Sequence, residues 1–117
     1  MHTVLLVEDE MNLALMAEEL LTIAGYAVIK AARVSSAIAL IGITHVDVAI
    51  LDVNLNGAEV FPVAIELRMR GVPFAFTTGY GREGIPHEYQ DCSIMTKPYD
   101  ADQLLREVAI LLKRDGQ

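Results

Sequence analysis

Residues 3–10 read TVLLVEDE, an apolar run followed by three carboxylates. A continuous run of β-prone apolar residues that ends in three carboxylates is typical of a strand buried on both faces, as in a parallel sheet. Apolar side chains then recur at helical spacing over residues 13–24, and Gly25 ends the pattern. The sequence therefore opens with a buried strand that leads into an amphipathic helix.

The same alternation continues along the chain. We expect five strands, at residues 3–7, 27–31, 46–51, 72–77 and 92–95. Helical spacing predicts a helix after each strand, but the pattern over residues 82–91 is weak, so only a short helix is expected there. Ser35 or Ser36 is the expected cap of the second helix, and Pro62 is expected in the first turn of the third.

Alternating strands and helices predict an α/β fold, a doubly wound five-stranded parallel sheet with helices on both faces. Five strand–helix units fill residues 1–117 without a linker or repeat, so we expect a single, stand-alone domain. Sheets of this kind bind ligands beyond the carboxyl ends of their strands. Residues at those strand ends are therefore the first candidates for a site.

The composition excludes several classes of protein. Hydrophobic residues make up 53% of the chain and charged residues 21%, which excludes intrinsic disorder and predicts a buried core. The formal charge of −7 argues against direct binding of nucleic acid and favours a basic partner or a cation. With a single cysteine and no apolar run near the roughly 20 residues of a membrane span, we expect a cytoplasmic protein without membrane contact.

Polar side chains follow four of the expected strands. Glu8 and Asp9 follow the first strand, Asp52 the third, Thr78 the fourth and Lys97 the fifth. If the first and third strands are neighbours, their three carboxylates lie so close that they cannot all stay ionised without a cation. Carboxylate oxygens without His or Cys favour Mg²⁺ or Mn²⁺ over Zn²⁺. The sequence therefore predicts a divalent metal site at this edge of the sheet.

This set of groups fits the transfer of a phosphoryl group to a carboxylate. Such transfer needs in-line positioning and positive charge on the phosphoryl oxygens, and little other chemistry from the protein. We expect Asp52 to be the nucleophile and phosphoacceptor, while Glu8 and Asp9 hold the metal. Lys97 would pair with one phosphoryl oxygen, and the Thr78 hydroxyl would donate a hydrogen bond to another.

Four motifs, in this order, give the chain its resemblance to a known family. They are LLVEDE at 5–10, AILDVNLNG at 49–57, FAFTTGYG at 74–81 and MTKPY at 95–99. Over essentially its whole length the chain resembles a receiver domain, the CheY-like domain of two-component response regulators. The resemblance implies a flavodoxin-like (βα)5 fold and Mg²⁺-dependent phosphorylation of Asp52 by a histidine kinase or phosphotransfer protein. It also implies that phosphorylation changes a surface that a partner reads.

The resemblance also assigns roles to single residues. Asn54 matches the residue whose backbone carbonyl completes the metal site, and Lys97 matches the family's lysine. Thr78 matches the switch hydroxyl because it lies five residues after Pro73, where the family's hydroxyl falls. Thr77 remains the alternative for that role.

One departure from the family concerns the switch. The family often has an aromatic residue three positions before the lysine, where this chain has Ile94. We hypothesise that Tyr80 or Tyr99, which are near in sequence, replaces that aromatic residue. Asn54 and Tyr80 are also expected to tune the lifetime of the phosphoryl group, because they lie where attacking water must pass.

The expected output is binding rather than catalysis. The protein is expected to assist only its own phosphorylation and slow autodephosphorylation, and so not to be an enzyme in the ordinary sense. Phosphorylation adds about −1.5 to −2 charges at Asp52 and is expected to shift an existing equilibrium of one face. That face combines the fourth helix, the fifth strand and the fifth helix. A downstream protein is the expected partner there, and a homodimer is a further candidate assembly.

Three other functions were weighed. A phosphohydrolase of the haloacid dehalogenase type needs a second acid two residues after its nucleophile, where this chain has Asn54. A flavodoxin-like cofactor binder needs a glycine- or hydroxyl-rich loop after the first strand, where this chain has carboxylates. A receiver-like interaction module that works without phosphate has no need of Asp52, Thr78 and Lys97, which are all present here.

Overall fold

The computed structural model describes residues 1–115 of the chain, so the last two residues of the predicted domain lie outside the described part. Its strands are β1 (Thr3–Val7), β2 (Ala27–Ala31), β3 (Val48–Asp52), β4 (Asn54–Leu55), β5 (Ala58–Glu59), β6 (Phe74–Thr78) and β7 (Ser93–Thr96). Its helices are α1 (Met11–Ile23), α2 (Val34–Ile43), α3 (Phe61–Met69) and α4 (Ala101–Asp115). None of these helices is both long and apolar enough to cross a membrane.

Five of the strands form one sheet in the spatial order β2, β1, β3, β6, β7, and every pair in it is parallel. The predicted doubly wound sheet is therefore confirmed. The chain moves outward from β1 in one direction to β2 and in the other to β3. The carboxyl ends of β1 and β3 therefore flank the point where the connections diverge, which is where such sheets bind ligands.

The sheet has a separate apolar core on each face. Residues alternate along β3, so that Ala49 and Leu51 face one core while Val48 and Ile50 face the other. The first core is closed by α2 and α3 through Ala37, Ile41, Val63, Ala64 and Leu67. The second is closed by α1 and α4 through Ala14, Ala17, Leu21, Leu104, Val108 and Leu111. Full burial of each larger side chain contributes roughly 1.5–3 kcal/mol, so both cores stabilise the sheet whose strand ends carry the candidate residues.

The start of α1 divides the acidic residues that follow β1 into two groups. Glu10 is the N-cap of α1, and its carboxylate accepts hydrogen bonds from the backbone N–H groups of Asn12 (3.1 Å) and Leu13 (2.8 Å). These bonds satisfy donors that a helix start leaves free. Glu10 is therefore used locally, whereas Glu8 and Asp9 remain available at the end of the strand.

Several predicted boundaries shift by one or two residues. The third strand begins at residue 48 rather than 46 and includes Asp52, and the fourth includes Thr78. The predicted serine cap of α2 is wrong, because the helix begins at Val34 and its N-cap is Arg33, which makes no side-chain capping bond. The extended backbone of Arg33 places both serines inside the first turns instead. Pro62 does lie in the first turn of α3, as expected.

The loop after β3 contains a small hairpin that was not expected. The strands β4 and β5 pair antiparallel around Asn56 and Gly57, which both have positive φ (53° and 93°). This pattern matches the two-residue turn that favours Asn-Gly in hairpins. The Asn54 side chain accepts a hydrogen bond from the Gly57 N–H (2.9 Å) and thereby braces the turn.

The connection between β6 and β7 differs from the short helix that was expected. It consists of two single 3₁₀ turns, Gly81–Gly84 and His87–Tyr89. Pro86 lies between them, lacks an N–H donor and disfavours a helical conformation at the preceding residue, so a continuous α-helix does not form. Tyr89 anchors the segment by stacking on Phe61, with ring centroids 5.5 Å apart. The segment between β6 and β7 therefore contains no α-helix, and two 3₁₀ turns stand in the partner face where a short helix was predicted.

Candidate functional site

Three carboxylates meet at the carboxyl ends of β1 and β3. Glu8 follows β1, and Asp52 is the last residue of β3. The two strands are neighbours and pair Val7 with Leu51, so the next residues of both strands lie side by side. One carboxylate oxygen each from Glu8, Asp9 and Asp52 lies within 4.8 Å of the other two. The structure therefore brings together the three acids that the sequence selected.

Lys97 joins this cluster from beyond β7. Its Nζ lies 3.0 Å from Glu8 Oε1 and 3.0 Å from Asp52 Oδ2, so one ammonium group bridges two of the three carboxylates. The Lys97 backbone N–H donates to the Thr78 carbonyl oxygen (2.8 Å), which ties the start of this loop to the end of β6. The Lys97–Pro98 peptide bond is cis. Lys97 is thus held at the carboxylate cluster by both its side chain and its backbone.

Burial and neighbouring charges shift the pKa values of Glu8 and Lys97. Burial raises the pKa of Glu8, and the Asp52 carboxylate raises it further, although hydrogen bonds from the Glu10 N–H and from Lys97 oppose the shift. Burial also disfavours the Lys97 ammonium, but its hydrogen bonds to Glu8 and Asp52 prevail and raise the pKa of Lys97. Lys97 is therefore charged at neutral pH. Glu8 is held beside a like charge that a single lysine compensates only in part.

The donor set fits a divalent cation. Three ionised carboxylates and one ammonium leave a formal charge of −2, which a divalent ion neutralises. All the side-chain ligands are hard oxygens, which suit Mg²⁺ or Mn²⁺. The Asn54 N–H donates to Asp52 Oδ1 (3.3 Å), so the backbone of Asn54 lies beside the acceptor carboxylate. That the carbonyl of Asn54 completes the metal site stays a prediction.

The two threonines at the end of β6 are both buried, with Thr77 only 1% and Thr78 only 3% exposed. They point to opposite faces, as successive residues of a strand do. Thr77 lies opposite Asp52 in the strand register, whereas the Thr78 hydroxyl accepts a hydrogen bond from the Tyr80 N–H (3.1 Å). Thr78 is therefore linked to Tyr80 through its side chain and to Lys97 through its backbone. Its role as the switch hydroxyl stays a prediction.

The three residues considered for the switch occupy different surroundings. Ile94 is half-buried and packs on the sheet face of α2 and α3, whereas Tyr99 is buried on the face of α1 and α4. Tyr80 is 75% exposed. Burial raises the pKa of Tyr99 to about 12, and the nearby Glu8 carboxylate adds to the shift. Tyr99 therefore lies near the carboxylate cluster but across the sheet from the position of Ile94.

The structure adds an apolar cleft that the sequence analysis missed. This cleft has a volume of about 300 Å³, and its lining residues are Leu13, Met16, Lys97, Pro98 and Tyr99. Leu13 and Met16 lie three residues apart on α1 and therefore on one side of that helix. Their spacing was visible in the sequence, but the loop that faces them was not. The cleft opens beside Lys97, whose ammonium group contacts the carboxylate cluster.

Comparison with known proteins was made on both sequence and structure. The chain matches the response regulator receiver domain family over residues 4–109. Among solved structures it is similar to SdrG from Sphingomonas melonis Fr1, with 33% identity, 96% of this chain and 97% of that chain covered, and a TM-score of 0.84. A putative response regulator from Chloroflexus aurantiacus J-10-fl is 28% identical, with 97% and 98% covered and a TM-score of 0.85.

A third similar structure carries a ligand. TrrA from Thermotoga maritima, a response regulator protein solved in complex with Mg(2+)-BeF, is 25% identical, with 96% of this chain and 100% of that chain covered and a TM-score of 0.84. The comparison with curated proteins gives no match. The family match includes all the residues of the carboxylate cluster, and it supports a role in two-component signalling. The chain therefore belongs to the family of response regulator receiver domains.

Proposed function

We propose that this protein is a phosphorylation switch of two-component signalling. It accepts a phosphoryl group on Asp52 from a histidine kinase or a phosphotransfer protein and requires Mg²⁺ or Mn²⁺ to do so. The observation that carries the proposal is the double contact of Lys97, at 3.0 Å from both Glu8 and Asp52, within a cluster of three carboxylates. A lysine in this place is ready to exchange a carboxylate for a phosphoryl oxygen.

The residues of the cluster have different roles in phosphoryl transfer. A carboxylate oxygen of Asp52 forms a bond to phosphorus while the bond from phosphorus to the donor atom breaks and the donor keeps the electron pair. Glu8, Asp9 and Asp52 would hold the metal, together with the Asn54 carbonyl, and the metal would neutralise charge on the phosphoryl oxygens. Lys97 pairs with one of these oxygens, and the Thr78 hydroxyl donates to another. Asn54 and Tyr80 tune how readily water later removes the group.

The switch acts on the surface between β6 and the end of the chain. Movement of Thr78 towards the phosphoryl group breaks its bond with the Tyr80 N–H and so releases the start of the segment that carries the two 3₁₀ turns. That segment, β7 and α4 form the output face, in which the 3₁₀ turns replace the fourth helix that was expected. Because Tyr80 is bound to the switch hydroxyl and is exposed, it is a better candidate than the buried Tyr99 to replace the aromatic residue missing at Ile94.

The cleft beside Lys97 is the proposed docking place for the phosphodonor. Its walls are almost entirely apolar, and one of them includes Lys97, whose ammonium group contacts the acceptor carboxylate of Asp52 at 3.0 Å. The neighbouring surface of α1 carries no basic residue of its own and exposes Glu19, while Glu18 is paired with Lys30 at 2.8 Å. This surface suits a partner helix with apolar and basic side chains. The protein itself remains a binding switch and catalyses only its own phosphorylation and slow dephosphorylation.

The test is the intact mass of the protein after incubation with acetyl phosphate. We expect one added phosphoryl group on the wild type with Mg²⁺, none without it, and none on Asp52→Asn. Asp47→Asn is the matched control, because Asp47 is also a strand-end carboxylate but lies at the opposite edge of the sheet; it should be labelled like the wild type. An unlabelled wild type that nevertheless binds Mg²⁺ would contradict the proposal and favour an interaction module that works without phosphate.

A further inference from the structure

Large apolar side chains are exposed on the outer surface of α2 and α3, the two helices that cover one face of the sheet. Ile43 is 83% exposed, Ile65 is 52% exposed and Met69 is 74% exposed. Ile65 and Met69 are four residues apart on α3, as are the exposed Ala39 and Ile43 on α2, so each pair lies on one side of its helix. We call these four residues the α2–α3 face. Exposed apolar patches of this kind mark interaction sites more often than chance.

The two helices that carry this face lie side by side. The Arg70 guanidinium, at the end of α3, donates a hydrogen bond to the Ile41 carbonyl of α2 (3.2 Å). The contact joins the C-terminal ends of the helices, next to Ile43 and Met69. The four apolar residues therefore lie on two neighbouring helices that cover the same face of the sheet.

The α2–α3 face also carries little negative charge in a chain whose formal charge is −7. None of the ten residues of α2 is charged. The single acid of α3, Glu66, is paired with Arg70 at 3.6 Å, and Arg68 is the other charged residue of that helix. Two copies of the chain can therefore meet through this face without bringing uncompensated carboxylates together.

The helix α1 shows the opposite combination. It also exposes large apolar side chains, namely Met11, Leu15, Met16 and Ile23. The same helix contains Glu18 and Glu19 and no basic residue. Glu18 is paired with Lys30 of β2 at 2.8 Å, whereas Glu19 is exposed. Two copies that met through α1 would place their Glu19 carboxylates against one another, which opposes association. On α4, among the residues whose burial is described, only Ile110 is a large exposed apolar side chain.

We propose that the α2–α3 face binds the same face of a second copy, giving a dimer with two-fold symmetry. Such a contact is self-complementary, because each residue meets the same set of residues in the partner. Ile43, Ile65 and Met69 would leave water together, which is the main driving force for association. The paired Glu66 and Arg70 at the edge of the face could exchange partners across the two-fold axis, so that both charges stay compensated.

This dimer is independent of phosphorylation. The residues that respond to a phosphoryl group, Asp52, Thr78 and Lys97, lie on other elements than α2 and α3. The apolar cleft beside Lys97 lies on the α1 and α4 side of the sheet and stays open in the dimer. Each dimer would therefore offer two phosphodonor sites and two output faces at once. The inference goes beyond the proposed function and does not depend on it.

The test is sedimentation equilibrium of the full chain up to millimolar concentration, with and without acetyl phosphate and Mg²⁺. The wild type should approach twice its chain mass of 12.8 kDa under both conditions. Ile43→Glu should remain at the chain mass. Ile23→Glu is the matched control, because Ile23 is similarly exposed (78%) but lies on α1, and it should dimerise like the wild type. Met69→Glu provides a second variant on the face, and circular dichroism checks that each variant is folded.

Three results would overturn the inference. A wild type that stays at the chain mass throughout would show that the face does not associate. A dimer that Ile23→Glu dissociates and Ile43→Glu leaves intact would assign the contact to α1. A dimer that forms only after phosphorylation would place it on the output face instead. Labelling by acetyl phosphate is expected to be the same in all variants, so loss of the dimer and loss of the proposed function remain distinguishable.

Discussion

The carboxylates at the two ends of the sheet have opposite surroundings and opposite pKa shifts. At the amino ends of β1 and β3, Asp47 accepts hydrogen bonds from the Thr3 N–H (2.8 Å) and from His45 (2.8 Å). Burial opposes its charge, yet these bonds hold the pKa of Asp47 below its usual value. At the carboxyl ends, Glu8 shares one lysine with Asp52, and its pKa is raised.

The difference separates a structural carboxylate from functional ones. Asp47 is ionised, partnered and adds to stability, because its hydrogen bonds fix the start of β1 to the start of β3. Glu8, Asp9 and Asp52 are crowded and short of positive charge, which costs stability in the metal-free protein. Such an arrangement is useful only if a cation or a phosphoryl group enters the site.

Loss of a carboxylate from the cluster should weaken metal binding strongly. Glu8→Gln removes one of the three oxygen ligands, and we expect Mg²⁺ affinity to fall by more than the roughly 10–100-fold typical of an outer-shell partner. Isothermal titration calorimetry measures the change. Glu10→Gln is the matched control: Glu10 is two residues away but caps α1, so this variant should bind Mg²⁺ like the wild type. Equal weakening by both substitutions would contradict the division of roles.

Loss of the carboxylate at the other end should cost stability. Asp47→Asn removes a charged acceptor from two hydrogen bonds, and we expect the free energy of unfolding to fall by about 1–3 kcal/mol at pH 7. Because the folded pKa of Asp47 is lowered, its contribution is present above the unfolded value of 3.8 and is lost as pH falls through the folded pKa. Urea unfolding should therefore show a difference from the wild type that shrinks below pH 4. Asp91→Asn, at an exposed carboxylate, should change little.

The contribution of Glu8 to the free energy of unfolding should depend on pH with the opposite sign to that of Asp47. The folded pKa of Glu8 is raised, so its contribution to stability is present below the usual value of 4.5 and is lost as pH rises through the folded pKa. In the absence of metal, Glu8→Gln should therefore be at least as stable as the wild type at pH 7. Mg²⁺ affinity of the wild type should fall on acidification, beginning above pH 4.5, because a proton competes with the ion. A pH-independent affinity would argue against Glu8 as a ligand.

The smallest effect is expected at Tyr99. Its folded pKa of about 12 lies above the usual value of 10.0, so its contribution to stability is present below pH 10 and is lost as pH rises through about 12. In Tyr99→Phe the free energy of unfolding should therefore fall less between pH 10 and about pH 12 than in the wild type, as measured by urea unfolding at several pH values. Tyr80→Phe, at an exposed side chain, should leave the decline unchanged. Similar curves for the wild type and both variants would contradict the burial of the Tyr99 hydroxyl.

The sequence predicts the carboxylate cluster well because each member follows a buried strand. Glu8 and Asp52 come together only if the first and third strands are neighbours, which holds in one of the common doubly wound strand orders. The structure has that order. Lys97 could also be assigned, since it follows the last strand. The sequence does not show that Lys97 bridges two carboxylates, because the loop after β7 has no pattern that fixes its path.

Other features escaped prediction for local reasons. The 3₁₀ turns between β6 and β7 depend on Pro86 and on the burial of Tyr89 against Phe61, which is a contact between distant segments. The start of α2 at Val34 depends on the extended backbone of Arg33, and two serines nearby made a later start look favourable. The bonds from Thr3 and His45 to Asp47 join residues that no short-range pattern connects. Side-chain partners set by tertiary contacts were therefore the part that sequence patterns could not supply.

The contrast between the two ends of the sheet can be tested by the free energy of unfolding of Asp52→Asn, measured beside that of Asp47→Asn in metal-free buffer at pH 7. We predict that Asp52→Asn is as stable as the wild type or more stable, because it relieves the crowding around Glu8, while Asp47→Asn is less stable. A loss of stability in Asp52→Asn as large as that in Asp47→Asn would contradict the account. The carboxylate cluster would then be a structural element rather than a site prepared for a cation and a phosphoryl group.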